Sequence, residues 1–434
     1  MKLNYGKTVF IGLAFLSICS FWQLYETVVP LILTRTFHLG DTLTGAVMAL
    51  DNILGIFLIP FFGSLSDKST LRMGRRSPFI LLGTAVTVVS MLFLPFAERI
   101  GSFPLFFGAL WAVLLALSFY RSPAAALMPD LTPAPLRSKA NAVVNLMGAC
   151  GSVITLSLLG VLIPGEERPD YTPAFLAVAF VMAVSVGLLA LRVRETRASE
   201  PAEEGREADS PDDLEMEDGK ILTPAVKRSL YLVLLSVFFW YFAFNAVTTA
   251  FSRYAANVWG LEGGSFAVLL IFPFGAAVVS YLPAGHLAAR IGRKNTILVG
   301  VVILTASYLA EAFLSRYSLL VPLGLTLIGA GWAFVNVNSF PMVVEMCSRS
   351  EMGKYSGLYY SFSMSAQIIT PILSGFLFER LSYMTLFPYA AVFSLCSLLT
   401  MLFVRHGEAS SAPQGRTRLT SSRSPSEYGS EFKK

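Results

Sequence analysis

Apolar residues in this chain gather into runs of about twenty, separated by short polar clusters. A helix of roughly 20 mostly apolar residues crosses a hydrocarbon layer ~30 Å thick. The runs predict twelve such spans, over 8–33, 43–66, 78–97, 103–128, 140–164, 172–193, 229–252, 264–288, 295–314, 318–345, 355–378 and 383–404. The first, Thr8 to Leu33, is too long for the apolar core of a cleavable signal and lacks a small-residue cleavage site, so it reads as the first membrane helix.

The connections alternate in charge. One set carries Lys2 and Lys7, then Lys68, Arg72, Arg75 and Arg76, then Arg137 and Lys139. It continues with Arg194, Arg197, Lys227 and Arg228, then Arg290, Arg293 and Lys294, then Arg349 and Lys354. The opposite set holds about one basic residue per loop: Arg35, Arg99, Arg168, Arg316 and Arg380. Basic loops stay on the cytoplasmic side, so both termini are expected there, in a multi-pass protein of the cell membrane.

Composition narrows the class. Of 434 residues, 54% are hydrophobic and 14% charged, and the mean hydropathy is +0.62. A water-soluble chain carries about 25% charge, so an ordinary cytosolic enzyme and a disordered protein are excluded. The net charge of +5 sits in the loop clusters rather than on one surface, which argues against a nucleic-acid partner. Cys19, Cys150, Cys347 and Cys396 show no CxxC spacing, and His38, His286 and His406 lie at span ends. Neither a metal site nor a catalytic triad is expected. No GxxxxGK[ST] motif is present, so ATP does not drive this chain directly.

The longest polar stretch, 194–228, contains Glu203, Glu204, Asp212, Asp213 and Asp218 and reads as a disordered cytoplasmic linker. The tail, 408–434, reads the same way. The expected units are therefore a six-helix bundle over 1–193, the linker, a second six-helix bundle over 229–407, and the tail.

The two halves repeat one another. Gly63-Ser-Leu-Ser-Asp67 and Gly74-Arg75-Arg76 follow span two; Gly285-His-Leu-Ala-Ala and Gly292-Arg293-Lys294 follow span eight. Asp130 precedes Arg137 and Lys139 after span four, as Glu345 precedes Arg349 and Lys354 after span ten. Parallel six-span repeats are how one large transporter group is built, and the sequence resembles it: the major facilitator superfamily. The string from Asp67 through Gly74-Arg75-Arg76-Ser77-Pro78-Phe79-Ile80 resembles the sucrose-transporter-like branch, related to the glycoside–pentoside–hexuronide cation symporters. The resemblance implies an all-α fold of twelve transmembrane helices in two pseudo-symmetric bundles.

It also implies a charge latch at Asp67 and Arg75. Asp130 is the expected partner of Arg75, and Arg293 could pair with Glu345; with Arg76 these form the candidate conformational latch. Plain anchoring of helix ends is the alternative. The second loop lacks the acid, with Ala289 standing where Asp67 has its counterpart.

Three ionisable residues fall deep in spans, where each costs about 2.5–3.5 kcal/mol on insertion scales. They are Glu26 in span one, Asp51 in span two and Arg121 in span four. Two acids against one base leave one carboxyl that must bind a proton or cation, which is what a coupling site requires. A structural Asp51–Arg121 ion pair is the competing reading. Plant-type sucrose symporters, by the resemblance, carry the coupling acid in the fourth helix, and Phe103–Tyr120 here has none. Melibiose-type relatives use acids of the second helix, and Asp51 sits about a turn further out than theirs. A proton is the favoured coupling ion, with sodium open; no other cofactor is expected.

Amides, hydroxyls and aromatic rings recur at helical spacing, and they are what a sugar needs. The candidate substrate contacts are Gln23 and Tyr25 on span one, Asn145 on span five, Asn245 on span seven, Trp332 and Asn336 on span ten, and Tyr360 and Gln367 on span eleven. Hydrogen bonding between helices is the alternative for each. Pro30, Pro60, Pro123, Pro273, Pro341 and Pro371 lie inside spans and serve either gating or fixed curvature.

The expected function is secondary transport: cation-coupled symport of a small polar solute, a sugar or glycoside, by a monomer in the lipid bilayer. An efflux antiporter for amphipathic molecules is the rival. Exporters of the superfamily carry Gly-Pro-Gly-Gly in the fifth helix, whereas span five has Gly148, Gly151 and Gly160 without that proline.

Overall fold

The computed structural model describes residues 3–69, 74–133, 136–165, 169–193, 223–346 and 352–407. Most of the expected linker (194–222), the tail from 408, and Lys2, Arg72, Arg168, Cys347 and Arg349 lie outside them.

Twelve helices among the described residues are long and apolar enough to cross a membrane. The first six are α1 (Tyr5–Leu31), α2 (Asp41–Asp67), α3 (Ser77–Arg99), α4 (Phe103–Leu131), α5 (Arg137–Leu162) and α6 (Thr172–Arg192). The second six are α7 (Pro224–Val258), α8 (Ser265–Ile291), α9 (Arg293–Ala312), α10 (Val321–Glu345), α11 (Met352–Arg380) and α12 (Leu386–Leu402). All are helical because a chain in lipid must satisfy its backbone internally.

The helix ends follow local chemistry. Asn4 caps α1 by accepting from the Lys7 amide at 3.0 Å. Thr223 caps α7 by accepting from Val226, and Pro224 occupies the first turn, where its missing N–H costs nothing. That start lies inside the stretch expected as linker, and α7 runs six residues past the expected end, through Arg253 to Val258. Gly292, at φ 88°, makes the turn between α8 and α9 that a side chain would oppose. Just past Pro30 the first span loosens into a π-helix over Ile32–Thr36.

Exposure explains the apolar surplus. Leu82, Val86, Val89, Phe93 and Phe96 line one face of α3 at intervals of three and four, and all are exposed. Such a stripe suits lipid rather than water.

Helix pairings in the first half recur in the second. α1 packs on α5 and α6, as α7 packs on α11 and α12; α3 packs on α4 and α6, as α9 packs on α10 and α12; α2 pairs with α4, as α8 does with α10. Between the halves, α2 meets α11 and α5 meets α8, two contacts that the same repeat exchanges. The repeat read from the loops is therefore a repeat of packing.

Candidate functional site

Cys19, Trp22 and Glu26 project from one face of α1, three and four residues apart. Arg121 of α4 lays its guanidinium over the Trp22 ring, 4.8 Å from the centroid. Asp51 of α2 is buried, and both its carboxylate oxygens accept from Asn52 Nδ2 at 3.0 and 3.1 Å. Asp51 and Trp22 lie close enough to act on the Glu26 carboxyl, and Arg121 close enough to act on Asp51. The three ionisable residues singled out by sequence thus share one cluster. The competing ion pair is absent: Arg121 makes no contact within 4.0 Å of either acid. Among the described residues, no cluster of three His, Cys, Asp or Glu could hold a metal ion.

The second half offers an aromatic and polar wall. Trp332 stacks on Phe244 at 3.7 Å between centroids, and its edge contacts Trp240 and Tyr241. Tyr281 of α8 lies close enough to Trp332 and Asn336 to be acted on by both. Tyr359 of α11 shares a 2.9 Å hydrogen bond with Ser339. Tyr360 beside it is 55% exposed.

The Tyr25 hydroxyl donates to the carbonyls of Met48 and Val47 at 3.2 and 3.4 Å, so it ties α1 to α2. That use, not a free hydroxyl, explains its burial. Gln23 is buried on α1, and its carbonyl accepts from Thr27. The Asn245 carbonyl accepts from Thr249 at 2.7 Å, while Gln367 donates to the Ser363 carbonyl at 3.3 Å. Asn145 is exposed on α5.

One end of the molecule is closed by contacts between the halves. Arg253 of α7 pairs with Asp41 at the start of α2, N to O 2.8 Å. Tyr383 donates to the other Asp41 oxygen at 2.6 Å, and Thr42 donates to Glu379 of α11 through its hydroxyl at 2.5 Å and its amide at 3.2 Å. The Gly264 amide donates to the Ile163 carbonyl. Every one of these lies at the end opposite the termini. The sequence carried no sign of the closure, because Arg253 falls one residue beyond the expected span seven and its partner is 212 residues away. Glu311 of α9 is also buried, and neither of its carboxyl oxygens has a hydrogen-bond partner.

At the terminal end the expected charges do meet. Arg75 pairs with Asp130 at 2.9 Å; Arg76 pairs with Asp130 at 2.9 Å and with Asp67 at 2.5 Å, and bonds the Ser66 hydroxyl. Asp67 therefore belongs to Arg76 rather than to Arg75. Arg293 pairs with Glu345. Each of these pairs joins residues of the same half.

Comparison with known proteins returns transporters. The profile described as the Major Facilitator Superfamily matches residues 11–359 and, again, 233–433. The sucrose transport protein SUC3 of Arabidopsis thaliana is 28% identical over 142 residues, 28% of this chain and 24% of that protein. The class B tetracycline resistance protein of Escherichia coli is 24% identical over 348 residues, 77% of this chain and 79% of that protein. Among solved structures, the inward-open xylose transporter XylE from E. coli superposes with a TM-score of 0.69 at 13% identity, covering 94% of this chain and 97% of that one. At that identity the likeness shows the fold alone.

Proposed function

The chain belongs to the Major Facilitator Superfamily, and we propose that it is a cation-coupled symporter of a sugar or glycoside, driven by a proton gradient and working by alternating access. It is a transporter, not an enzyme. The observation that carries the coupling is the cluster of Glu26 and Asp51 beside Arg121, without an ion pair among them. A buried carboxyl with no counter-charge must trade its charge for a bound cation, and exchange requires that water reach it from alternate sides.

The wall of Trp332, Tyr281 and Asn336 supplies the rings and hydrogen-bonding groups that a sugar uses. Asn145 and Tyr360, both exposed, lie in the terminal-side halves of α5 and α11, the side that the charge of the loops assigns to the cytoplasm. The structure's closed end is then the outer gate. The match to a sucrose transport protein supports the sugar reading.

The rival reading, efflux, has a longer alignment behind it, to the tetracycline resistance protein. Uptake into proteoliposomes separates the two. Sugars and glycosides should accumulate when a proton or sodium gradient is directed inward. Loss of amphipathic compounds from preloaded vesicles against an inward proton gradient, with no sugar uptake, overturns symport.

A further inference from the structure

Glu311 stands in the last turn of α9, at the same end of the molecule as the Asp41–Arg253 pair. The residue is 1% exposed, and neither carboxyl oxygen has a hydrogen-bond partner. Its room comes from Gly324 in the first turn of α10, where a Cβ would run into the carboxyl. The surroundings are short of charge. Arg316, in the loop that follows, is exposed and takes part in none of the ion pairs among the described residues. Tyr254 of α7 lies near enough for a charge on Glu311 to act on it. From α12, Tyr389 is hydrogen-bonded to Ser374, and Phe387 meets the Tyr254 ring edge-on at 5.0 Å. α8 carries Tyr281, His286 and Arg290 toward its other end. Three residues back on α9, the Tyr308 hydroxyl is buried and unpartnered as well.

A carboxylate with neither a donor nor a counter-charge does not persist in such packing, so the group carries a proton there. A metal cation needs several oxygen ligands at once, whereas the residue against this carboxyl is a glycine. Tyr254 directly follows Arg253 on α7. Its ring is braced by Trp259 at 5.0 Å, and Trp259 donates to the Leu314 carbonyl, three residues past Glu311, at 3.1 Å. Water that solvates an ionised Glu311 must part α9 from the first turn of α10 or lift the Tyr254–Trp259 cover. Either change loosens the end of α7 that presents Arg253 to Asp41. We propose that Glu311 is a proton-binding site separate from the central cluster, and that its proton holds this end of the molecule closed. Binding the proton favours closure, and losing it as the pH rises favours opening. With the orientation read from the loop charges, the pH sensed is that of the outer side.

The site stands whether or not Glu26 and Asp51 couple a cation to the solute, and its test needs no solute. Purified full-length protein is placed in lipid nanodiscs, where both faces meet one buffer. Between about pH 6 and about pH 9, infrared difference spectra should show the C=O stretching band of a protonated carboxyl disappear. Part of that band should be missing in Glu311→Gln and should remain in the Glu26→Gln, Asp51→Asn double variant. Ile372→Cys, in a background without the native cysteines, then reports opening through its rate of labelling by a maleimide. Dividing that rate by the rate with Glu311→Gln added cancels the titration of the thiol and of the central acids. The quotient should be about one at about pH 6 and rise at least about tenfold by about pH 9. A quotient that stays flat overturns the proposal, as does a carboxyl band that Glu311→Gln leaves unchanged. If Glu311→Gln does not fold, the double variant decides: no titrating carboxyl band there overturns the site.

Discussion

Arg253 and Asp41 join the two halves through an ion pair of 2.8 Å, with the arginine side chain only 1% exposed. Its Nε and Nη2 have no hydrogen-bond partner, and its guanidinium lies 5.4 Å from the Phe378 ring. A charge so buried persists because it is paired; removing one partner strands the other at a cost of about 3–5 kcal/mol. The pair bridges helices of opposite halves, so it exists only while this end is closed. The cost of breaking it therefore falls on the state that is closed at this end.

Asp41→Asn should depopulate that state. A cysteine placed at Ile372, beside the α2–α11 contact, in a background without the native cysteines, reports the change. Its labelling by a membrane-impermeant maleimide should accelerate at least tenfold, a shift of about 1.4 kcal/mol in the gate. Equal labelling rates with and without the substitution would remove the ion pair from the gate.

Close backbone approach at the same end predicts a second way to hold it open. A Cβ on Gly45 would run into the carbonyl of Pro371, and one on Gly375 into that of Asp41. Neither obstacle is a flexible side chain, so the halves would have to separate. Gly45→Val should keep solute binding, measured as a ligand-induced rise in melting temperature, while abolishing net uptake. Normal uptake by this variant would show that α2 and α11 need not approach so closely.

At the terminal end the two adjacent arginines should differ in weight. The Arg76 side chain is 6% exposed and joins Asp67, Asp130 and Ser66, whereas Arg75 is 44% exposed and reaches Asp130 alone. Arg76→Ala should cost about 3 kcal/mol, because it leaves acids without their buried partner. Arg75→Ala should cost under about 1 kcal/mol, since water and salt screen an exposed pair. Thermal unfolding in detergent orders them, and a larger loss for Arg75→Ala would reverse the assignment.

The reach of the sequence can be followed through these residues. The spans were legible because lipid imposes length and hydropathy on every helix, and Arg75–Asp130 because both flank short loops in a repeated pattern. Burial depth also identified Glu26, Asp51 and Arg121, since few other charges fall in mid-span. Direction was not legible. Tyr25 has the chemistry of a sugar contact, yet its hydroxyl is spent on Met48 and Val47. Tyr281 lies in a run of apolar residues, and only the fold shows that it lies near Trp332 and Asn336. Asp41–Arg253 depends on how two halves dock, which no local pattern encodes.

Cation coupling through Glu26 and Asp51, as proposed, can be separated from folding by substitution. Asp51 is held by Asn52, and an amide in its place can keep an acceptor for that bond, so Asp51→Asn should fold. The amide cannot take up and release a proton. Gradient-driven accumulation should fall to the level of empty liposomes, while exchange of labelled for unlabelled solute, which needs no net cation movement, should persist. Glu26→Gln should do the same if both acids carry the cation in turn, because each lies within electrostatic reach of the other. If Asp51→Asn still accumulates solute against a gradient, Asp51 has no part in coupling. If Glu26→Gln alone loses accumulation, the cation is carried on α1 and Asp51 only shapes the field around it.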